Sequence, residues 1–481
     1  MIYRLADFGI LFFLFTLGYI ISTYFQCRFN LSFNNRFKLI ISFPIGTGFW
    51  ALSWIILAIT SYFFNLKRND IITLLSLGID IIIIISCIIY LIRNIVITKK
   101  ILCINYFTGL LSSFLLLAVI ELLDRFLIFG DSYAFTTWSY NIFDITKQGF
   151  PLFGLSLSNL SAVILPDYYF FPIHPLMSII LIFLVFESIF LNNNTKLNRS
   201  NLIFILTLIC IYISNSHFVW QSMWVNFNSA TAVYLVIFVH IVSFSNKENT
   251  NISLTILLLF IITVIRIEGM ILSLSLILFF CYDKITDAVS RNRILFCYTI
   301  FTFIFTCFLS FSLKGSSVIN SEKYLGLWAA TFFLFIFDRF YIKNNFYISK
   351  RLWIIAFISL TIILVYFLIF NSEAMNISIY NYFKNLLKHS IWGLTNHVMI
   401  LTVLLITIVR INQKRYFSKN DLLLYFFLFN ILLSLVLSNF REPYRIGWFD
   451  SANRMYFQVF PLLVIWIGRE FTFSREDKLR T

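Results

Sequence analysis

Charged residues are scarce in this sequence. Asp, Glu, Lys and Arg make up 12% of its 481 residues, about half the share found in ordinary soluble proteins. No stretch between apolar runs is long enough to fold alone as a soluble domain. There is no D-x-D to hold a metal–nucleotide-sugar, no P-loop, no H-E-x-x-H and no G-x-S-x-G, so soluble nucleotide chemistry has no support. The cysteines (Cys27, Cys87, Cys103, Cys210, Cys281, Cys297 and Cys307) lie scattered in or beside apolar segments without a C-x-x-C. They read as small buried hydrophobes rather than as a disulfide frame or metal site.

Hydrophobic residues, by contrast, fill 60% of the chain, and the mean hydropathy is +0.87. Leu39–Phe64, Ile71–Ile92, Ile101–Leu123 and Leu352–Phe370 are each long enough as helices to cross about 30 Å of hydrocarbon. Apolar runs of this length indicate helices rather than barrel strands, because a lone helix satisfies its own backbone in lipid. Phe8–Phe25 lacks a basic leader and an A-x-A cleavage site, and more spans follow, so it reads as a retained first helix. The expectation is an all-α polytopic bundle of about 13–15 spans. The segments 202–214, 252–265, 269–282 and 397–409 are short for full crossings.

The net charge of +15 is a topology signal before it is anything else. When loops are assigned alternately to two sides, roughly 23 lysines and arginines fall on one and roughly 13 on the other, and the richer side is expected to be cytoplasmic. The N-terminus is then outside and the C-terminus inside, and nucleic acid is not needed to explain the charge. The chain is read as a multi-pass protein of a bacterial inner (cell) membrane, with membrane lipids as partners.

Five constellations fall on the outer side. Gly130-Asp131-Ser132-Tyr133, with Trp138, Asn141 and Gly149 after it, puts a carboxylate just past a span. Such a group suits a general base acting on a hydroxyl at the lipid interface, or it caps a short helix. Pro166-Asp167-Tyr168-Tyr169 to His174-Pro175 leads into the next span. Asp167 and His174 are candidates for acid–base work, whereas the tyrosines also fit an interfacial belt. His217, Gln221 and Asn228 lie in an uncharged polar–aromatic loop suited to a sugar. Arg266-Ile267-Glu268-Gly269 interrupts two short apolar runs. Charges at such depth face the protein interior, and broken helices often frame a binding site; a simple internal ion pair is the plainer reading. Last come Arg441, Glu442, Arg445, Asp450 and Ser451-Ala452-Asn453-Arg454, whose guanidinium groups suit phosphate.

In their order and sidedness these features resemble the GT-C superfamily of integral membrane glycosyltransferases. The resemblance covers about residues 100–290 and the C-terminal end. It implies N-terminal extra helices (1–100), a core (101–293) with a catalytic external loop (124–171) bearing juxtamembrane helices, and C-terminal helices (294–481) with an external arginine loop (439–454). It implies inverting transfer of a sugar from a polyprenyl-phosphate donor to a lipid, glycan or protein. Asp131 would be the general base, assisted by Asp167. Trp138, Tyr168, His174, His217, Gln221, Arg266, Glu268, Asn453 and Arg454 would bind substrate, with Arg454 or Arg266 on the lipid phosphate. No metal ligands are assigned, although a divalent metal remains compatible. Two alternatives stand beside this. One is a surface-polysaccharide (O-antigen type) polymerase or ligase centred on Arg441, Arg445 and Arg454. The other is a transporter or flippase using Asp80, Glu121 or Glu187 within spans.

Overall fold

A computed structural model of the chain describes residues 2–29, 34–63, 69–94, 99–123, 152–165, 169–170, 172–190, 199–223, 227–244, 252–266, 268–285, 287–312, 321–342, 351–388, 392–413, 420–439, 443–446 and 451–480. Among these residues every regular element is helical. The helices are α1 (Ile2–Arg28), α2 (Asn35–Phe63), α3 (Asn69–Asn94), α4 (Lys99–Leu123), α5 (Leu152–Ile164), α6 (Ile173–Phe190), α7 (Arg199–Ile213), α8 (Ser216–Met223), α9 (Asn228–Phe244) and α10 (Ile252–Ile265). Then come α11 (Gly269–Leu276, continued through a π turn to Lys284), α12 (Ala288–Ser312), α13 (Ser321–Phe337, with a π turn to Ile342) and α14 (Leu352–Phe370). The last are α15 (Ser372–Phe383, with a π turn to Lys388), α16 (Thr395–Asn412), α17 (Asp421–Ser438) and α18 (Ser451–Arg480).

Eight described helices are long and apolar enough to cross a bilayer, or up to nine if the bent pair α7–α8 is one span. The chain is therefore an all-α, multi-pass membrane protein. The larger number expected from the sequence includes α9, α10 and α11, which are too short to qualify singly. α9 is the hub: its side chains are buried almost along its whole length, packed by α6, α18, α10 and α2. α14 and α16 lie at the periphery, mostly exposed on apolar side chains, as expected where lipid rather than protein is the neighbour.

Close backbone approach holds the N-terminal helices together. A Cβ at Gly18 would stand 1.7 Å from the Ser42 carbonyl oxygen, and one at Gly46 would stand 1.8 Å from that of Leu14. Small residues serve this purpose in membranes, where water does not drive helices together and packing must. Between these two contacts on α2, the Tyr234 hydroxyl donates to the Pro44 carbonyl (2.6 Å). Ile261 of α10 lies against Gly48.

α5 falls in the stretch 124–171, where juxtamembrane helices are expected. Ten consecutive residues, Leu152–Ser161, are buried, and the helix packs against α2, α3 and α10, so it lies inside the bundle rather than outside it. The Trp50 indole donates to the Ser156 carbonyl (3.0 Å). Its polar side chains are no obstacle to burial. Ser156, Asn159 and Ser161 donate to the carbonyls of Phe153, Leu155 and Leu157, one turn back, which removes most of the cost of desolvating them.

Candidate functional site

Asp131 and Trp138 (with Gly149) and Asp167 and Tyr168 lie outside the described residues. The other candidates are described, and several converge.

The convergence begins with α8. The segment 216–223 is a helix bent 71° from α7, not the solvated loop its polar residues suggest. Asn215 caps it, accepting from the Phe218 backbone N–H (2.6 Å), which satisfies a donor that the first turn leaves open. The bend drives His217 and Gln221 inward, and both are fully buried with Asn228. A directed chain of hydrogen bonds joins them. Gln458 Nε2 of α18 donates to Asn228 Oδ1 (2.9 Å). Asn228 Nδ2 donates to Gln221 Oε1 (2.8 Å), and Gln221 Nε2 donates to His217 Nε2 (3.2 Å). Because that imidazole nitrogen accepts, the neutral ring carries its proton on Nδ1.

The start of α18 closes the cluster. Asn453 is fully buried and its Oδ1 accepts from the Trp392 indole (3.1 Å). The Trp392 ring lies 4.7 Å from that of His217. The Asn453 backbone and the Arg454 guanidinium are close enough to act on His217. His217, Gln221, Asn453 and Arg454, candidates from two segments far apart in sequence, thus share one neighbourhood. His174 adjoins it at the start of α6. Its ring is 4.9 Å from Phe227, the residue before Asn228, and its Nε2 is 3.3 Å from the hydroxyl of Tyr169. Tyr169 is buried, so it belongs to the interior and not to an interfacial belt. Phe227 itself has φ 60°, an uncommon conformation for a side-chain-bearing residue and one associated with functional sites.

Arg266 and Glu268 form the plainer pair foreseen for them, 3.2 Å apart and largely buried. They sit at the tip of the α10–α11 hairpin. Gly269 permits that tip, since a Cβ there would stand 2.0 Å from the Ile262 carbonyl oxygen. Ile261 contacts the middle of α2, and the tip follows a turn later while α2 continues to Phe63. The hairpin therefore ends below the end of α2, inside the bundle.

Sequence reading missed Trp392, Asn396, Tyr456 and Gln458. The Tyr456 hydroxyl donates to Asn396 Oδ1 (3.0 Å), and Asn396 Nδ2 to the Leu386 carbonyl (3.0 Å). The one local signal was Trp392-Gly393, a turn at which the glycine has φ +52°. Gln458 Oε1 is buried and receives no hydrogen bond from the described residues, so it can accept one from a bound hydroxyl.

Among the described residues, no three His, Cys, Asp or Glu side chains are grouped to hold a metal ion. Arg445 is exposed, and its carbonyl is held by the Asn385 amide (2.8 Å). Comparison with protein-family models, curated proteins and solved structures finds no match.

The relay carries a stability prediction. Asn228→Leu leaves Gln221 Oε1 and the Gln458 amide without their partner at once. Thermal unfolding in detergent should show a destabilisation of about 1–3 kcal/mol. An unchanged midpoint would mean that the relay does not hold α8, α9 and α18 together.

Proposed function

We propose that this chain is a membrane glycosyltransferase that moves a sugar from a polyprenyl-phosphate carrier to an acceptor hydroxyl on the external side. One observation carries the reading: a buried amide–imidazole–indole cluster, beside Arg454, assembled from the ends of helices that the charge asymmetry assigns to that side. Amide groups and aromatic faces are what a sugar needs for hydrogen bonding and stacking, and a guanidinium matches the two-oxygen edge of a phosphate. Polar groups so deep in a membrane protein are costly and mark sites of function.

In the proposed reaction Asp131 takes the proton of the acceptor hydroxyl. The freed oxygen attacks the anomeric carbon from the face opposite the carrier. The bond from that carbon to the phosphate oxygen breaks, and the lipid phosphate departs with its new charge held by Arg454. The configuration inverts in this single displacement. His217 and Gln221 orient the sugar, and the Gln458 carbonyl accepts from one of its hydroxyls. Electrostatic positioning of this kind supplies much of the rate when the leaving group is already a good one. The N-terminus is external and the C-terminus cytoplasmic, as in a bacterial cell membrane.

Asp80 supports a second reading. It is fully buried in the middle of α3, and its described partner is the Ser53 hydroxyl (3.3 Å). Glu121 and Glu187 lie near helix ends beside Arg4 and Asn34. A buried mid-helix carboxylate also suits a proton-coupled carrier. Purified protein in liposomes, offered polyprenyl-phosphate sugars and acceptor extracts, should yield a new glycosidic product. Uptake of solute with no covalent product would favour the carrier.

A further inference from the structure

The groove between α12 and α13 is unrelated to the His217 cluster and sits on the side rich in lysine and arginine. It encloses about 590 Å³ and is lined by Asn292, Arg293 and Phe296 of α12 and by Phe335, Arg339 and Phe340 of α13. A buried ion pair fixes the two helices behind it. Arg291 Nε donates to Asp338 Oδ1 at 2.8 Å, with both side chains almost wholly buried, and the Arg291 guanidinium stacks over Tyr282. That pair consumes the acid of its own neighbourhood. Arg293 and Arg339 are exposed, and neither makes an ion pair within 4 Å with a described residue. Asp287, the nearest carboxylate by sequence, is held by the Ser290 hydroxyl and by the backbone N–H groups of Ser290 and Val289 at the start of α12. Those bonds, with a smaller contribution from the charge of Arg293, keep its carboxyl below the usual range, so it stays ionised as a cap.

An arginine near a helix end ordinarily reaches the interface by itself. Here two arginines on neighbouring helices border one cavity, whose remaining walls are Val289, Asn292 and three phenylalanines. Phe296 and Phe340 are exposed, as befits a surface covered by acyl chains. Paired guanidinium groups above an apolar cleft complement an amphiphile with an anionic head. Basic pockets between helices on the cytoplasmic side bind anionic lipid headgroups.

We propose that this groove is a binding site for an anionic phospholipid of the cytoplasmic leaflet, its phosphate held between Arg293 and Arg339 and its chains along Phe296, Phe335 and Phe340. The test is native mass spectrometry of the full chain in detergent, titrated with phosphatidylglycerol, phosphatidylcholine of the same acyl chains, and inorganic phosphate. Phosphatidylglycerol should bind at least ~10-fold more tightly than phosphatidylcholine, as expected when phosphate meets guanidinium without a competing cation. Arg293→Gln/Arg339→Gln should erase that preference, and each single substitution should weaken it. Arg36→Gln, an exposed arginine on α2 outside the groove, should leave it intact. A thermal transition matching the wild type verifies that the variants fold. Equal binding of the two lipids, or a preference surviving in the folded double variant, would overturn the proposal. Displacement of the lipid by millimolar inorganic phosphate would reassign the groove to a soluble anion.

Discussion

Arg454→Gln should slow sugar transfer by roughly 10²–10³-fold while leaving the protein folded, the usual effect of removing one group that stabilises charge developing in a transition state. Arg454 lies in the first turn of α18, near enough to His217 for its charge to act there. It is only partly buried, so glutamine can replace it without opening a cavity. In the proposed reaction the charge it matches is that of the departing lipid phosphate, which exists fully only as the bond to the sugar breaks. The loss should therefore fall on the turnover number more than on the apparent affinity for the donor. Arg454→Lys keeps the charge but loses the fork of two parallel donors, so it should lie between the wild type and the glutamine variant. A glutamine variant as active as wild type would detach Arg454 from the chemistry and leave Arg266 as the phosphate ligand.

Gly46→Leu should abolish folded, monodisperse protein. The Cβ position at Gly46 meets the backbone of Leu14 at 1.8 Å, and the Cβ position at Gly18 meets the backbone of Ser42 at 1.7 Å. Backbone cannot rotate out of the way as a side chain can, so the two helices must separate. Separation would reach beyond the pair, because α2 also carries Trp50, whose indole holds α5, and Pro44, whose carbonyl holds Tyr234 of α9. A cost of about 3 kcal/mol or more is expected, at the upper end of overpacking effects. Gly78 of α3 is the matched control: its added Cβ meets nothing within 4 Å, and Gly78→Ala should be neutral or slightly stabilising through helix propensity. Size-exclusion profiles of the two variants in the same detergent decide the matter, and a normal Gly46→Leu profile would show that the close α1–α2 contact is dispensable.

Apolar runs made the membrane-crossing helices readable because a long span must bury its whole perimeter in lipid or protein, which leaves a continuous signal. A helix was expected in the region of α5, but not its burial, because serines dilute its apolar character. Their hydroxyls return to the helix backbone, which hydropathy does not register. α8 looked like a loop for a related reason: His217, Gln221 and Asn228 are polar, yet they satisfy one another inside the fold rather than in water. The break at Arg266–Gly269 was legible as a break, since two charges and a glycine interrupt apolar sequence. Its role as the tip of a short hairpin required the Ile262–Gly269 contact. The link between His217 and Asn453 was legible only as a shared side of the membrane. Trp392, which bridges them, lies in a segment without any recognisable motif. Long-range polar contacts leave little local trace, because a member such as Gln458 is fitted to a partner 230 residues away.

Asp131 stands at the centre of the proposed chemistry, and the most direct test is a transfer assay on purified Asp131→Asn with a polyprenyl-phosphate sugar donor. Asparagine keeps the shape and cannot take a proton, so transfer should fall by roughly 10²–10⁴-fold, the range for loss of a general base, with donor binding and thermal stability unchanged. Transfer at the wild-type rate by the folded variant would contradict the account.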